Sequence, residues 1–334
     1  MLTPDVLELT TQLGHIFYFI VLPVLLLAVL GFVLQRTLGL EMDTLKRLNF
    51  YFIIPAIIYC SLVSAEITLQ DVGTVIVFVL ALQAAMGGVT YTAAALRGIP
   101  REKRTALMMT TMYYNSGNFG LPMQELAFRD AGLGAAARSI QVFVMLTQNV
   151  MSFTVGVFLA AGGRRDLTWR SKLLHIARLP PIYAVLAAVV TVQFRHGLGG
   201  SAEAVADALR PFWTTLAYIA DAFIAVALAT LGAQLGTVRG TNRRDGRSVR
   251  LSVFIRLLGA PVAAFAIIVM LGLEGLIAQV LLISSASPTA VNCMLLCLEF
   301  DNNAELAARA VFYSTLLCPV TVTLVVFAAK SGVL

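Results

Sequence analysis

The chain has 334 residues, 59% of them hydrophobic and 13% charged, with 24 basic against 18 acidic side chains and a mean hydropathy of +0.85. Soluble domains carry roughly 45–50% apolar and about 25% charged residues, so this composition excludes an ordinary soluble globular protein. The net charge of +6 does not mark a nucleic-acid partner either, because the basic residues sit in short joints between apolar runs and are not interleaved with aromatics on one face.

A spanning helix needs about 20 largely apolar residues, and such runs follow one another along the chain. The first, near 13–35, comes after Asp5 and Glu8 and lacks the basic segment and small-residue cleavage site of a signal peptide, so it is expected to stay in the mature protein. Further spans are predicted near 47–64, 72–96, 105–127 and 139–161, then near 173–194, 211–236, 249–271, 275–299 and 304–328. The expected fold is an all-α membrane protein of about ten transmembrane helices. Loops after odd-numbered spans hold 18 basic residues and the opposite loops 5, with Arg256 inside a span. That asymmetry puts both termini outside an inner membrane. The basic joint at 162–172 separates a first half, 1–161, from a second, 173–334. Five spans per half turn the second half upside down relative to the first, the plan of an inverted repeat. The punctuation agrees, with Pro23 matched by Pro180 and Pro181, and Pro122 by Pro288.

The segment Tyr113-Tyr114-Asn115-Ser116-Gly117-Asn118-Phe119-Gly120-Leu121-Pro122-Met123 falls mid-way along the fourth span. Pro122 removes an intrahelical hydrogen bond and clashes with the preceding turn, and two glycines weaken the helix just before it. The helix is predicted to open here. In hydrocarbon an open turn strands N–H and C=O groups unless they line a wet cavity or meet polar side chains, which Asn115, Ser116 and Asn118 supply. The ninth span repeats the pattern in Ser284-Ser285-Ala286-Ser287-Pro288-Thr289-Ala290-Val291-Asn292. Two broken helices at corresponding positions of two halves mark a transporter's binding site. Half-helices that begin at such breaks carry free N–H groups and a partial positive charge, which favours an anion. The candidate substrate-binding residues are therefore Asn115, Ser116, Gly117, Asn118, Pro122, Ser287, Pro288, Thr289 and Asn292.

Asp221, near the middle of the seventh span, is a candidate for proton or cation coupling or a packing acid, since an ionisable group at that depth is costly unless paired, hydrated or neutral. Glu125, one turn after Pro122, suits a helix N-terminus but competes with an anion, so it is either protonated during transport or points elsewhere. Gln148 and Asn149 complete the candidates for ion coupling; they can equally satisfy opened backbone or join helices. Arg256 could pair with an acid or attract anions from the cytoplasmic side, but it lies close enough to a loop to snorkel, which is the favoured reading. All four cysteines, Cys60, Cys293, Cys297 and Cys318, lie in apolar runs, so no disulfide framework is expected. Cys293 and Cys297 have no further ligands nearby, and neither a metal nor another cofactor is expected. No catalytic residue is predicted, because neither Gly-x-Ser-x-Gly nor Gly-x-Gly-Asp occurs at membrane depth.

The two break segments, together with Glu305-Leu306-Ala307-Ala308-Arg309-Ala310-Val311-Phe312, resemble signature segments of the auxin efflux carrier family. The likeness runs over nearly the whole chain and takes in Pro55, Gln148-Asn149, Leu231-Gly232-Ala233, and Arg256 with Pro261. It implies a ten-helix fold like that of plant auxin exporters, bile-acid carriers and sodium/proton carriers, with a panel domain and a transport domain that contains a helix crossover. It also implies a bacterial permease for small carboxylates such as malate or malonate, with Asn115, Pro122, Pro288 and Asn292 framing the substrate. The chain departs from the family at Asp221-Ala222-Phe223-Ile224-Ala225, where a proline is expected before the Leu-Gly pair. The expected partners are a small organic anion, a coupling proton or sodium ion and the lipid bilayer, with a homodimer left open. Two other readings stay open: a sodium- or proton-coupled carrier of another solute, and a non-transporting membrane receptor.

Overall fold

The computed structural model describes residues 4–64, 68–161, 180–198, 209–237 and 246–331. In chain order its helices are α1 (Thr10–Leu38), α2 (Met42–Val63), α3 (Leu69–Leu96), α4 (Arg101–Met112), α5 (116–128) and α6 (Gly134–Ala160). They continue with α7 (Pro180–Leu198), α8 (Arg210–Thr237), α9 (Gly246–Met270), α10 (Gly275–Ser285), α11 (Val291–Glu299) and α12 (Ala304–Lys330). Among the described residues seven helices, α1, α2, α3, α6, α8, α9 and α12, are long and apolar enough to cross a bilayer. Helices suit that solvent because every backbone bond closes within the segment. The stretches read as spans at 105–127 and 275–299 are each divided, into α4 with α5 and α10 with α11. The joint at 162–172 and residues 173–179 lie outside the described residues. With no proline beyond Pro211 in its first turn, α8 is interrupted only at Ala222, and hydrogen bonds from Ala222 N–H to Tyr218 O (3.3 Å) and from Val226 N–H to Ala222 O (3.1 Å) carry it past that residue.

Prolines shape the remaining helices more gently. Five-residue π turns occur at Phe17–Val21, Asn49–Ile53, Ser116–Gly120, Ser152–Gly156 and Ile255–Gly259. All but Ser152–Gly156 end two residues before a proline: Pro23, Pro55, Pro122 or Pro261. A proline ring cannot donate to the carbonyl four residues back and also collides with it, so the chain takes a wider turn there.

The helices pack in two groups. In one, α1 lies along α8, while α2 packs on α7 and on the first half of α8. In the other, α3 meets α4, α6 and α9; α5 lies on α6; and α12 packs on α9, α10 and α11. Lipid tails are as apolar as leucine, so helices associate there by close approach at small residues. The α1–α8 contact is built that way. A Cβ on Gly232 would collide with the Ala28 carbonyl oxygen, and one on Gly31 with that of Ala229. Large apolar side chains such as Phe212, Val262 and Met270 stay exposed on the outer faces, where lipid replaces water as the solvent.

Candidate functional site

α4 stops at Met112 because Tyr113 is extended, at φ −101° and ψ 121°, and α10 stops at Ser285 ahead of Pro288. The two breaks lie against each other and pair as a single antiparallel bridge between Tyr114 and Thr289. Asn115 N–H donates to Pro288 O (2.8 Å), and Ala290 N–H donates to Tyr113 O (3.0 Å). Each opened turn thus supplies the partners that the other lacks.

Side chains complete the accounting. Thr289 donates through its hydroxyl to Thr110 O (2.8 Å), while its N–H reaches Ser314 Oγ (3.1 Å). Gln141 Nε2 donates to Ser116 O (2.8 Å). It reaches that carbonyl across Gly120, where an added Cβ would strike the Gln141 amide. Gln124 Nε2 ties α5 to α10 through Val280 O (2.9 Å). Such satisfaction is what non-helical backbone requires at membrane depth.

Arg256 binds the C-terminal ends of both α4 and α10. Its guanidinium donates to Thr111 O (2.8 Å) and to Ser285 O, and it stacks on the Tyr114 ring at 4.8 Å. Helix C-termini carry partial negative charge, so one cation between two of them is favourable on both sides. The side chain is 0% exposed, which corrects the expectation that it snorkels. The π turn Ile255–Gly259, set by Pro261, is the local feature that carries Arg256.

In front of the crossing breaks is a cavity of about 310 Å³. Asn115, Ser116, Gly117, Asn118 and Asn292 form one wall; Gln148, Asn149 and Ser152 of α6 and Thr230 and Gln234 of α8 face them. Both α5 and α11 begin at this cavity, and the first-turn N–H groups of a helix have no carbonyl within it to bond. Lys46 and Arg47 stand among the lining residues, which, among the described residues, include no Asp or Glu. Lys46 also sits 3.6 Å from exposed Asp43, a surface pair of small energy. Several buried lining atoms have no hydrogen-bond partner among the described residues: Asn49 Oδ1, Thr230 Oγ1, Gln234 Oε1 and both amide atoms of Gln148. The Tyr114 hydroxyl lies near Gln148 and Ser284 without a well-formed bond to either. Buried polar atoms cost free energy unless a ligand or water meets them.

The sequence profile of the family described as membrane transport protein matches residues 16–326. The chain belongs to that family, the auxin efflux carriers. It is 26% identical over 311 residues to an uncharacterized transporter of Methanothermobacter thermautotrophicus, covering 91% of this chain and 95% of that one. It is 23% identical over 223 residues to an uncharacterized transporter of Methanocaldococcus jannaschii, covering 64% of this chain and 65% of the relative. The protein is a multi-pass membrane transporter.

In this carrier the residues singled out from sequence fall into three places. Asn115, Ser116, Gly117, Asn118, Asn292, Gln148 and Asn149 line the cavity. Pro122, Ser287, Pro288 and Thr289 are buried behind it and shape the breaks. Asp221 and Glu125 lie outside it: Asp221 is exposed beside the interruption of α8, and Glu125 pairs with Arg138 (2.9 Å) and Arg129 (3.8 Å). Sequence reasoning missed Asn49, Thr230, Gln234 and the rim residues Lys46 and Arg47. The available signal for Asn49, whose amide donates to Asn118 Oδ1 (3.0 Å), was a polar residue opening the π turn that Pro55 dictates. Gln234 and Thr230 flank the tight Gly232 contact, a signal legible only once α1 and α8 are known to touch.

Proposed function

We infer that this transporter is a secondary carrier of small organic anions that bind in the cavity at the crossing breaks and move by alternating access. The observation that carries this reading is the cavity wall itself. It joins two helix N-termini, unpartnered amide and hydroxyl groups and two basic rim residues, with no carboxylate among the described lining side chains. An anion is stabilised by each of these features, through helix dipoles and charge-assisted hydrogen bonds. Carboxylates such as malate or malonate are of the right class, as the family resemblance implies.

The chain is read as ten spans in two inverted halves, 1–161 and 173–334, with α4–α5 and α10–α11 as the broken pair. The cavity opens beside Lys46 and Arg47, which the basic-loop asymmetry assigns to the cytoplasmic side of the inner membrane. The conformation described is then the inward-open one. The group formed by α1, α2, α7 and α8 would serve as the panel against which the other group moves.

Uptake of labelled malate and malonate into proteoliposomes under imposed pH, sodium or potential gradients tests this function. Flux that saturates and falls with Asn292→Ala or Gln148→Ala is the expected result, and its gradient dependence identifies the coupling ion. Folded protein that moves no anion under any gradient would overturn the reading.

A further inference from the structure

A second cavity lies away from the crossing, on the outer face between α9 and α12, and measures about 640 Å³. Its walls are Val249, Val253, Phe254, Leu257 and Leu258 on α9 and Leu317 and Val320 on α12. Much of that surface is uncovered: Phe254 is 61% exposed and Val320 65%. One end is different in kind, being formed by Arg250, Arg309 and the ring of Tyr313.

Both arginines line this end, and hydrogen-bonded links tie their two helices to the crossing breaks. Ser252 of α9 bonds Thr110 (2.8 Å), and Ser314 of α12 accepts from Thr289, whose hydroxyl donates to Thr110 O (2.8 Å). Ser252 and Ser314 each pack toward the crossing breaks, with Arg250 two residues before the first and Arg309 five before the second. Arg250 and Arg309 each precede them, in the second turn of their helices, and their long side chains can extend toward the interface. At a rise of about 1.5 Å per residue the groove from Arg309 to Thr321 is about 18 Å long. One leaflet of hydrocarbon is about 15 Å deep, half of the bilayer's roughly 30 Å core. A groove with a cationic end and an apolar floor of leaflet length has the shape and charge of one kind of molecule.

We propose that this groove is a binding site for an anionic phospholipid of the leaflet that faces the basic loops. The headgroup phosphate lies between Arg250 and Arg309, and an acyl chain runs down the apolar floor toward Val320. Basic pockets between transmembrane helices recognise anionic headgroups in this way. Glu305 precedes Arg309 by one turn but is outside the groove lining. The site is on the group of helices that contains both breaks, so the lipid would travel with that group or hold it in its leaflet.

The test is thermal unfolding of the purified full chain in detergent, followed by exposure of the buried thiols of Cys293, Cys297 and Cys318, with phosphatidylglycerol, phosphatidylcholine or inorganic phosphate added. Phosphatidylglycerol should raise the midpoint by several degrees, while phosphatidylcholine and phosphate leave it unchanged. Arg250→Gln with Arg309→Gln should lose the response, whereas Arg250→Lys with Arg309→Lys keeps it. Arg97→Gln with Arg101→Gln, which removes equal charge from exposed positions outside the groove, should respond as the wild type does. Native mass spectrometry of wild-type protein gives a second reading: retained phosphatidylglycerol should survive competition from excess phosphatidylcholine. An equal shift with phosphatidylcholine, a shift with phosphate alone, equal loss in the Arg97/Arg101 pair, or rapid exchange for phosphatidylcholine would each overturn the proposal.

Discussion

The contact between α1 and α8 and the crossing of α4–α5 with α10–α11 meet the demands of the bilayer in opposite ways. Along α1 and α8 the backbone bonds stay inside each helix, and the helices touch by subtraction: Gly31 and Gly232 remove side chains so that the main chains meet. At the crossing the backbone is left open, and partners are imported: the other break, Gln141, Thr289 and Arg256. Where the main chains meet, a surface of the first kind leaves no room for a solute. A surface of the second kind is polar by construction, and wherever its partners run short a solute can complete it. The cavity lies where they run short, at Gln148, Thr230 and Gln234.

The sharpest way to break this contrast is Arg256→Ala. It removes the cation from two helix ends and leaves the Thr111 and Ser285 carbonyls buried without it; a loss of about 3–5 kcal/mol is expected. Thermal unfolding should show a large drop in midpoint, and Arg256→Lys should recover only part, since an ammonium lacks the planar fork that reaches two carbonyls. Gly232→Val attacks the other region by forcing α1 from α8, at about 1–3 kcal/mol. Its unfolding midpoint should fall whether or not an anion is added. Asn292→Ala and Gln148→Ala should each lower anion uptake about tenfold, equivalent to about 1.4 kcal/mol, while the unfolding midpoint barely moves. Last comes Glu125→Gln, which weakens an ion pair whose side chains are 23% and 19% exposed. The unfolding midpoint should fall modestly, and uptake by this variant should match the wild type under every gradient; a changed gradient dependence would place Glu125 in coupling after all.

Much of the crossing was legible in the sequence because its causes are local. Pro122, Pro288 and their neighbouring Gly, Asn and Ser residues announce where a helix must open and what will ease it. Helix existence was likewise local, carried by apolar run length. What the sequence did not yield depends on contacts between distant segments. Arg256 reads as an arginine near a loop until the C-terminal ends of α4 and α10 are seen to converge on it. Gln234 and Thr230 become cavity residues only through the α1–α8 packing that holds them there. Asp221, an arresting acid by position alone, falls on an exposed face beside Ala222, because the side on which a helix residue sits is set by neighbours and not by its depth along the span.

The most direct test of the central claim is equilibrium binding of malonate and of its neutral diamide to the purified protein and to the Asn292→Ala and Gln148→Ala variants. The crossing-cavity account predicts saturable malonate binding, at least tenfold weaker binding of the diamide, and weakened malonate binding by both variants. Equal affinity for the charged and neutral compounds, or malonate affinity unchanged by either substitution, would contradict it.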